Sequence, residues 1–357
     1  MPNQVFQNPH VSICIPTYNG REHLKECIDS VRAQTFQNFE VVICDDQSSD
    51  GTLDFARELA QGDERFRFIQ NPRRFGLVGN WNNCVAVSRG EWIKFVFQDD
   101  LLLPLCLERM MAVAGKSNVF FVACRRGFQF EPGTTDQARE LYVANADKIE
   151  KFFSKSDTVD ARDFAEKILE EIGNNCVGEP TVTLIHRELF MQNGGFNENL
   201  IMYCDSEYWY RIGTQVGVTF VPEMLAMFRV HSSSTSADNF KRRNFRVDLL
   251  DRFIMVHEFT CNPSYTALRK VTRARCGANY FARLCRQLAR RAGCILQQKE
   301  LAGSDDAPQC RQDWEAVCQA YPRLRQLARP PGLFDRARSI TRRCLTEAVR
   351  RLLPARE

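Results

Sequence analysis

Residues 91–100, EWIKFVFQDD, read as an apolar strand that ends on two adjacent carboxylates, Asp99 and Asp100. Pro104 follows, at the start of a helix, where a missing amide and a fixed φ are tolerated. Working outward from this stretch, VSICI (11–15) is a second buried strand. After the turn Thr17-Tyr18-Asn19-Gly20, Leu24, Cys27, Ile28 and Val31 recur at helical spacing. FEVVIC (39–44) is a further strand, closing in the polar, cap-rich run DDQSSDG (45–51) before a helix over 52–61. FRFIQ (66–70), a helix after Gly76 and the strand NVFFVAC (118–124) continue the alternation. Short strands interleaved with helices predict an α/β fold, a mostly parallel sheet covered by helices.

Beyond residue 125 the pattern loosens. A charged stretch around 147–172 reads as a helical insertion, TVTLI (181–185) as a short strand and Gly194-Gly195 as a tight turn. A helix begins near Asp205, with Trp209 and Ile212 at i+4 and i+7, and VTFV (218–221) and LAMFRV (225–230) read as two late strands. From about 240 the strand signals stop. The remainder is rich in Arg, Leu and Ala, interrupted at 303–308 and at Pro330-Pro331-Gly332. The expected division is a catalytic-type domain over 1–240 and a basic helical region over 241–357, without internal repeats.

Charge supports two regions with different jobs. Residues 1–240 carry 23 Lys/Arg against 33 Asp/Glu, whereas residues 241–357 carry 25 against 11. In FDRARSITRRCLTEAVRRLLPARE (334–357), arginines interleave with Ile340, Leu345, Val349, Leu352 and Leu353, a pattern that suits an anionic membrane surface or a solvated helical subdomain equally. No nucleic-acid module or aromatic platform accompanies the charge, so nucleic acid is not an expected partner. The 15 cysteines are scattered without a C-x-x-C pair, which argues for reduced thiols rather than a disulfide framework or zinc knuckle. The N-terminus lacks a basic segment followed by an apolar run, and no window approaches the ~18 apolar residues of a membrane span. The expected location is cytoplasmic, or peripheral on the cytoplasmic face of the inner membrane.

Ligands of open α/β sheets bind beyond the carboxyl ends of the strands. Those ends here present Pro16, Thr17, Tyr18 and Asn19, then Asp45 and Asp46, then Asp99 and Asp100. Neither a G-x-G-x-x-G nor a G-x-x-x-x-G-K-[ST] loop is present, which argues against dinucleotide oxidoreductases and P-loop enzymes. Without such a loop a diphosphate needs a cation, and adjacent carboxylates are suitable oxygen ligands for Mg²⁺ or Mn²⁺. Taken singly, an Asp pair after a strand is ordinarily a turn or a helix cap; three polar rims on one sheet edge make a site.

In this order, VSICIPTYNG, FEVVICDDQSSDGT and RGEWIKFVFQDDLLLP resemble the nucleotide-binding half of glycosyltransferase family 2, an inverting group with the GT-A fold. GGFNENL (194–200), CDSEYWYRI (204–212) and MFRVHSSSTS (227–236) extend the resemblance over about residues 10–236, and GLVGNWNN with FQDD points to one subset. The resemblance implies a nucleotide-sugar donor, UDP-linked by family frequency, and a glycan or glycolipid acceptor. It places Pro16, Thr17, Tyr18 and Asn19 around base and ribose, with Asp46 accepting from the base. Asp99 falls near the ribose and metal, Asp100 becomes a direct metal ligand, and His231 approaches the metal or diphosphate. Asn80 and Asn83 would face the nucleotide. Asp205 would be the catalytic base, with Glu207 in reserve. Two departures stand out: Cys204 precedes Asp205 where many members have Glu, and Phe97 stands where many have a further Asp. They leave room for a non-catalytic nucleotide-sugar-binding or scaffolding protein of the same fold. The Q-x-x-R-W signature of processive synthases is absent.

Overall fold

VSICIPT and FEVVICD are buried along their whole length, which is why they read as continuous apolar runs and not as alternating ones. They form β1 (Val11–Thr17) and β2 (Phe39–Asp45), paired in parallel from Val11–Phe39 to Thr17–Asp45. The computed structural model describes residues 8–153, 157–170, 172–231 and 243–329. The basic tail at 334–357, the break at Pro330-Pro331-Gly332 and the serine-rich run after His231 lie outside them. On one flank of the β1–β2 pair sits β3 (Phe66–Gln70), and on the other β4 (Trp92–Phe95), both parallel to their neighbours. The sheet continues from β4 through β8 (Thr183–His186), β6 (Phe121–Phe130) and β9 (Val218–Val230) to β5 (Leu101–Leu102), with β7 (Thr158–Val159) also on β9.

Helices cover this sheet. In α1 (Arg21–Arg32) the buried residues are Leu24, Cys27, Ile28 and Val31, the positions that the helical spacing selects. α2 (Thr52–Leu59), α3 (Leu77–Val87) and α4 (Cys106–Ala114) follow their strands in turn. The helical insertion is two helices, α5 (Asp136–Phe153) and α6 (Ala161–Glu170), while α7 (Arg187–Asn193) and α8 (Cys204–Val216) precede the long last strand. The two expected late strands are one. The register of β9 against β6 shifts on either side of Arg125, and the exposed Pro222-Glu223-Met224 bend lets the strand run on instead of ending.

Two compact units divide the chain at Ala282/Arg283, not near 240. The loss of strand signals at 240 marks where β-structure stops, whereas α9 (Arg252–Cys261) and α10 (Thr266–Cys276) belong to the unit that contains the sheet. The reason is a buried network. Glu207, fully buried in α8, accepts from Arg211 Nη2 at 2.6 Å and Nε at 3.1 Å, and from the Tyr265 hydroxyl at 2.6 Å. Asp251 likewise pairs with Arg246 and accepts from the amides of Ile201 and Met202. The second unit buries Trp314, Val317 and Leu324 among its own helices. Among the described residues no disulfide forms, and no helix is long and apolar enough to cross a membrane.

Removing Glu207 would leave the Arg211 guanidinium buried without its partner, which costs about 3–5 kcal/mol. Glu207→Ala should therefore lower the unfolding free energy of the first unit, read from urea titration of tryptophan fluorescence, by an amount of that order.

Candidate active site

A cleft of about 430 Å³ opens where β1, β2 and β4 end and where α3 and α8 begin. Thr17, Tyr18, Asp46, Asn80, Asp99 and Asp205 are among its walls. The sequence-expected Pro16 lines it as well, but Asn19 does not. Asn19 adopts a left-handed φ of 45° and is spent on the turn: its amide donates to Ser48 Oγ at 2.9 Å and its Oδ1 accepts from the Ser49 amide at 2.8 Å. Gln98 clasps the same turn from β4. Its Oε1 accepts from the Tyr18 amide at 2.9 Å and its Nε2 donates to the Tyr18 carbonyl at 3.1 Å. A Cβ at Gly20 would meet the Gln98 amide at 2.0 Å, so this close approach requires glycine. The Arg74 guanidinium lies 3.9 Å from the centre of the Tyr18 ring and steadies it by cation–π attraction.

Asp46 is buried and heavily engaged. Its carboxylate accepts from the amides of Phe75 (2.7 Å) and Gly76 (2.8 Å) and from Asn71 Nδ2 (2.8 Å). That uses about three of a carboxylate's four acceptor positions and leaves little for a ligand. Asn80 is similarly spent, donating to the carbonyls of Cys44 (2.9 Å) and Thr17 (3.3 Å) and accepting from Asn71. Asn83 donates to Asn71 Oδ1 at 2.7 Å. Asn71 is thus the hub that joins Asp46, Asn80 and Asn83 behind the cleft wall, and sequence reading missed it because an Asn after a strand looks like any turn residue.

The pair at 99–100 divides. Asp99 faces the cleft with its side chain a quarter exposed, and its Oδ2 lies 2.9 Å from His231 Nε2. This contact pushes the imidazole pKa up, mainly through the hydrogen bond and Asp99's charge, against the opposing effect of burial. Asp100, expected as the direct metal ligand, is only 1% exposed and points away. Its oxygens accept from Thr181 Oγ1 at 2.5 Å and the Arg229 amide at 3.1 Å. Burial and the Asp99 charge push its pKa well up. A carboxyl with both oxygens committed and no route to the cleft is structural, so the accessible carboxylate is Asp99. His231 lies outside the cleft walls, behind Asp99. Phe97, in place of a third carboxylate, stacks on Trp81 with ring centres 4.9 Å apart and makes this wall apolar.

Asp205 stands in the first turn of α8. Its Oδ1 accepts from the Ser206 amide (2.5 Å) and hydroxyl (3.2 Å), and its Oδ2 from Asn175 Nδ2 (2.9 Å). Desolvation first, and then the charge of Glu179, raise its pKa to about 7. Glu207 is excluded as a reserve base, because Arg211 and Tyr265 lock it in the interior.

Residues 12–192 match the model of glycosyl transferase family 2, and the protein belongs to that family. An uncharacterized protein of Mycobacterium tuberculosis is 30% identical over 234 residues, covering 64% of this chain and 69% of its own. A UDP-Glc:alpha-D-GlcNAc-diphosphoundecaprenol beta-1,3-glucosyltransferase of Escherichia coli is 33% identical over 112 residues, 31% of this chain and 44% of its own. Among solved structures, a Pyrobaculum calidifontis mannosyltransferase in complex with GDP-Man and Mn²⁺ superposes with a TM-score of 0.54 at 18% identity, covering 90% of this chain and 84% of its own. The mixed sheet with its flanking helices is the GT-A fold.

An ordinary unfolded-chain Asp titrates near pH ~3.9. Between there and about 7 the folded protein keeps a proton on Asp205 that the unfolded chain has lost, so this group's contribution to stability falls as pH rises through that window. Asp205→Asn should melt higher than the wild type at pH 8, with the gap closing toward pH 4. A pH-independent gap would mean an ordinary, solvated carboxyl.

Proposed function

We propose that the protein moves a single sugar from a nucleotide-sugar, a UDP-sugar in the first instance, to a hydroxyl of a glycan or glycolipid acceptor, with inversion. The observation that carries this reading is one cleft holding both Asp205, a carboxyl poised near neutrality, and Asp99, an accessible carboxylate. Inversion in a single step needs one group to accept the acceptor's proton while its oxygen attacks the anomeric carbon. Asp205 takes that proton, and Ser206 and Asn175 hold its carboxyl toward the cleft. The bond from the anomeric carbon to the diphosphate oxygen breaks, and its electrons leave with the nucleoside diphosphate. An accessible carboxylate beside a bound diphosphate suits Mn²⁺ or Mg²⁺, which accept few protein ligands; held by Asp99, such an ion would neutralise the leaving charge.

Thr17, Tyr18 and the Asp46–Asn71–Asn80 wall would receive the nucleoside, with Tyr18 offering an aromatic face already fixed by Arg74. The Mn²⁺ complex of the archaeal mannosyltransferase supports the divalent ion, and the E. coli enzyme's UDP-Glc donor and diphosphoundecaprenol-linked acceptor support a UDP-sugar and a lipid-linked acceptor. A glycolipid acceptor would bring the protein to the cytoplasmic face of a membrane.

Three measurements test the assignment. With UDP-sugars and Mn²⁺, Asp205→Asn should retain donor binding by thermal shift while transfer falls by about 10²–10⁴-fold; unchanged transfer would sink the base assignment, and donor binding without any wild-type transfer would favour a binding protein. Wild-type transfer should rise with pH and level off above about 7, the pKa to which burial lifts Asp205. In Asp99→Asn, the stabilisation by UDP-sugar that depends on Mn²⁺ should disappear.

A further inference from the structure

Three side chains that the donor site does not use meet behind Asp99. His23 comes from the first turn of α1, Glu131 from just beyond β6, and His231 from just beyond β9. β6 and β9 pair as far as Phe130–Val230, and the Glu131 amide donates to the Val230 carbonyl at 3.1 Å, so two members stand on neighbouring strand ends. Each of the three offers one ligand atom, and these atoms all lie within 4.8 Å of one another. His23 Nε2 and Glu131 Oε1 are 3.2 Å apart, and the two imidazoles meet edge-on with centres 5.2 Å apart. Metal–ligand bonds of about 2.0–2.1 Å in a tetrahedron put ligand atoms roughly 3.4 Å apart. One edge of such a site therefore already exists. The surrounding charge favours a dication, since Glu131, Asp99 and Glu26 outnumber the single Arg229 guanidinium, which pairs with Glu26 at 2.7 Å and lies 4.0 Å from Glu131.

We propose that His23, Glu131 and His231 bind one transition-metal ion in the absence of any nucleotide. Two imidazoles and one carboxylate select the zinc, cobalt and nickel class over Mg²⁺, which prefers an all-oxygen shell. Asp99, hydrogen-bonded to His231 Nε2, orients that imidazole, as carboxylates do behind metal-bound histidines. The ion would pin the ends of β6 and β9 to α1 and hold Asp99 from behind. The site is independent of the donor reading: it needs no diphosphate.

The test uses the tag-free full-length chain, stripped with a chelator and titrated with Co²⁺ and Zn²⁺ without nucleotide-sugar, read by calorimetry and by the visible spectrum of Co²⁺. One equivalent should bind with a nitrogen/oxygen-type spectrum. His23→Ala and Glu131→Gln, each checked for folding by circular dichroism, should lose it, and Asp99→Asn should weaken it by about 10–100-fold. UDP-sugar binding in Mg²⁺ should persist in His23→Ala, which separates this site from the donor's. Overturning results are no stoichiometric binding, equal binding by wild type and both folded variants, thiolate charge-transfer bands that place the ion on cysteines, or binding that requires added nucleotide-sugar.

Discussion

The buried carboxyl of Asp100 joins three pieces of chain that are far apart in sequence: the end of β4, the turn at Pro180–Val182 and the last turnings of β9. Thr181 approaches it from one side and the Arg229 amide from the other, while the fully buried Lys94 ammonium donates to the carbonyls of Thr181 and Thr183. The arrangement satisfies groups that would each be costly to bury alone. Its geometric effect is felt next door. Asp100 closes a turn on the Phe97 carbonyl at 3.0 Å, which leaves Asp99 at its tip, toward the cleft, and the Arg229 side chain closes back on the Asp99 carbonyl at 2.9 Å.

The sequence pointed to both aspartates, whereas the structure buries Asp100 and leaves Asp99 in the cleft wall. Both lie in the turn that follows β4, and of the two only Asp99 lines the cleft. Nothing in the string QDD says which. That choice is made by Thr181 and Arg229, residues 81 and 129 positions away from Asp100. The strands and helices of the first 125 residues were legible because their apolar periodicity is strong and each element is buried on the face that its spacing selects. The 240 boundary misled for a converse reason. Tyr265 and Arg246 look like ordinary residues of polar helices, and only their partners Glu207 and Asp251 bind them to the sheet-bearing unit.

Polar residues at the strand ends serve two ends at once. Asp46, Asn80 and Asn83 read in sequence as ligand contacts, and in the structure they spend most of their hydrogen bonds on Asn71 and on backbone. A wall built this way is fixed before any ligand arrives, so binding orders few further groups. Asp205 shows the complementary case. It begins a helix, as any capping residue would, yet the carboxyl is desolvated enough to titrate near neutrality. Sequence could place it at the helix start but could not reveal the burial that lifts its pKa.

Gln98 ties the backbone of Tyr18 to the residue immediately before Asp99. For a donor bound as proposed, the aromatic face beneath the nucleoside and the carboxylate beside the diphosphate are then separated by one peptide unit and one amide clasp. Neither can drift without moving the other. For that donor the cleft would act as a gauge of fixed length, graduated by covalent bonds, between the Tyr18 ring and the Asp99 carboxylate.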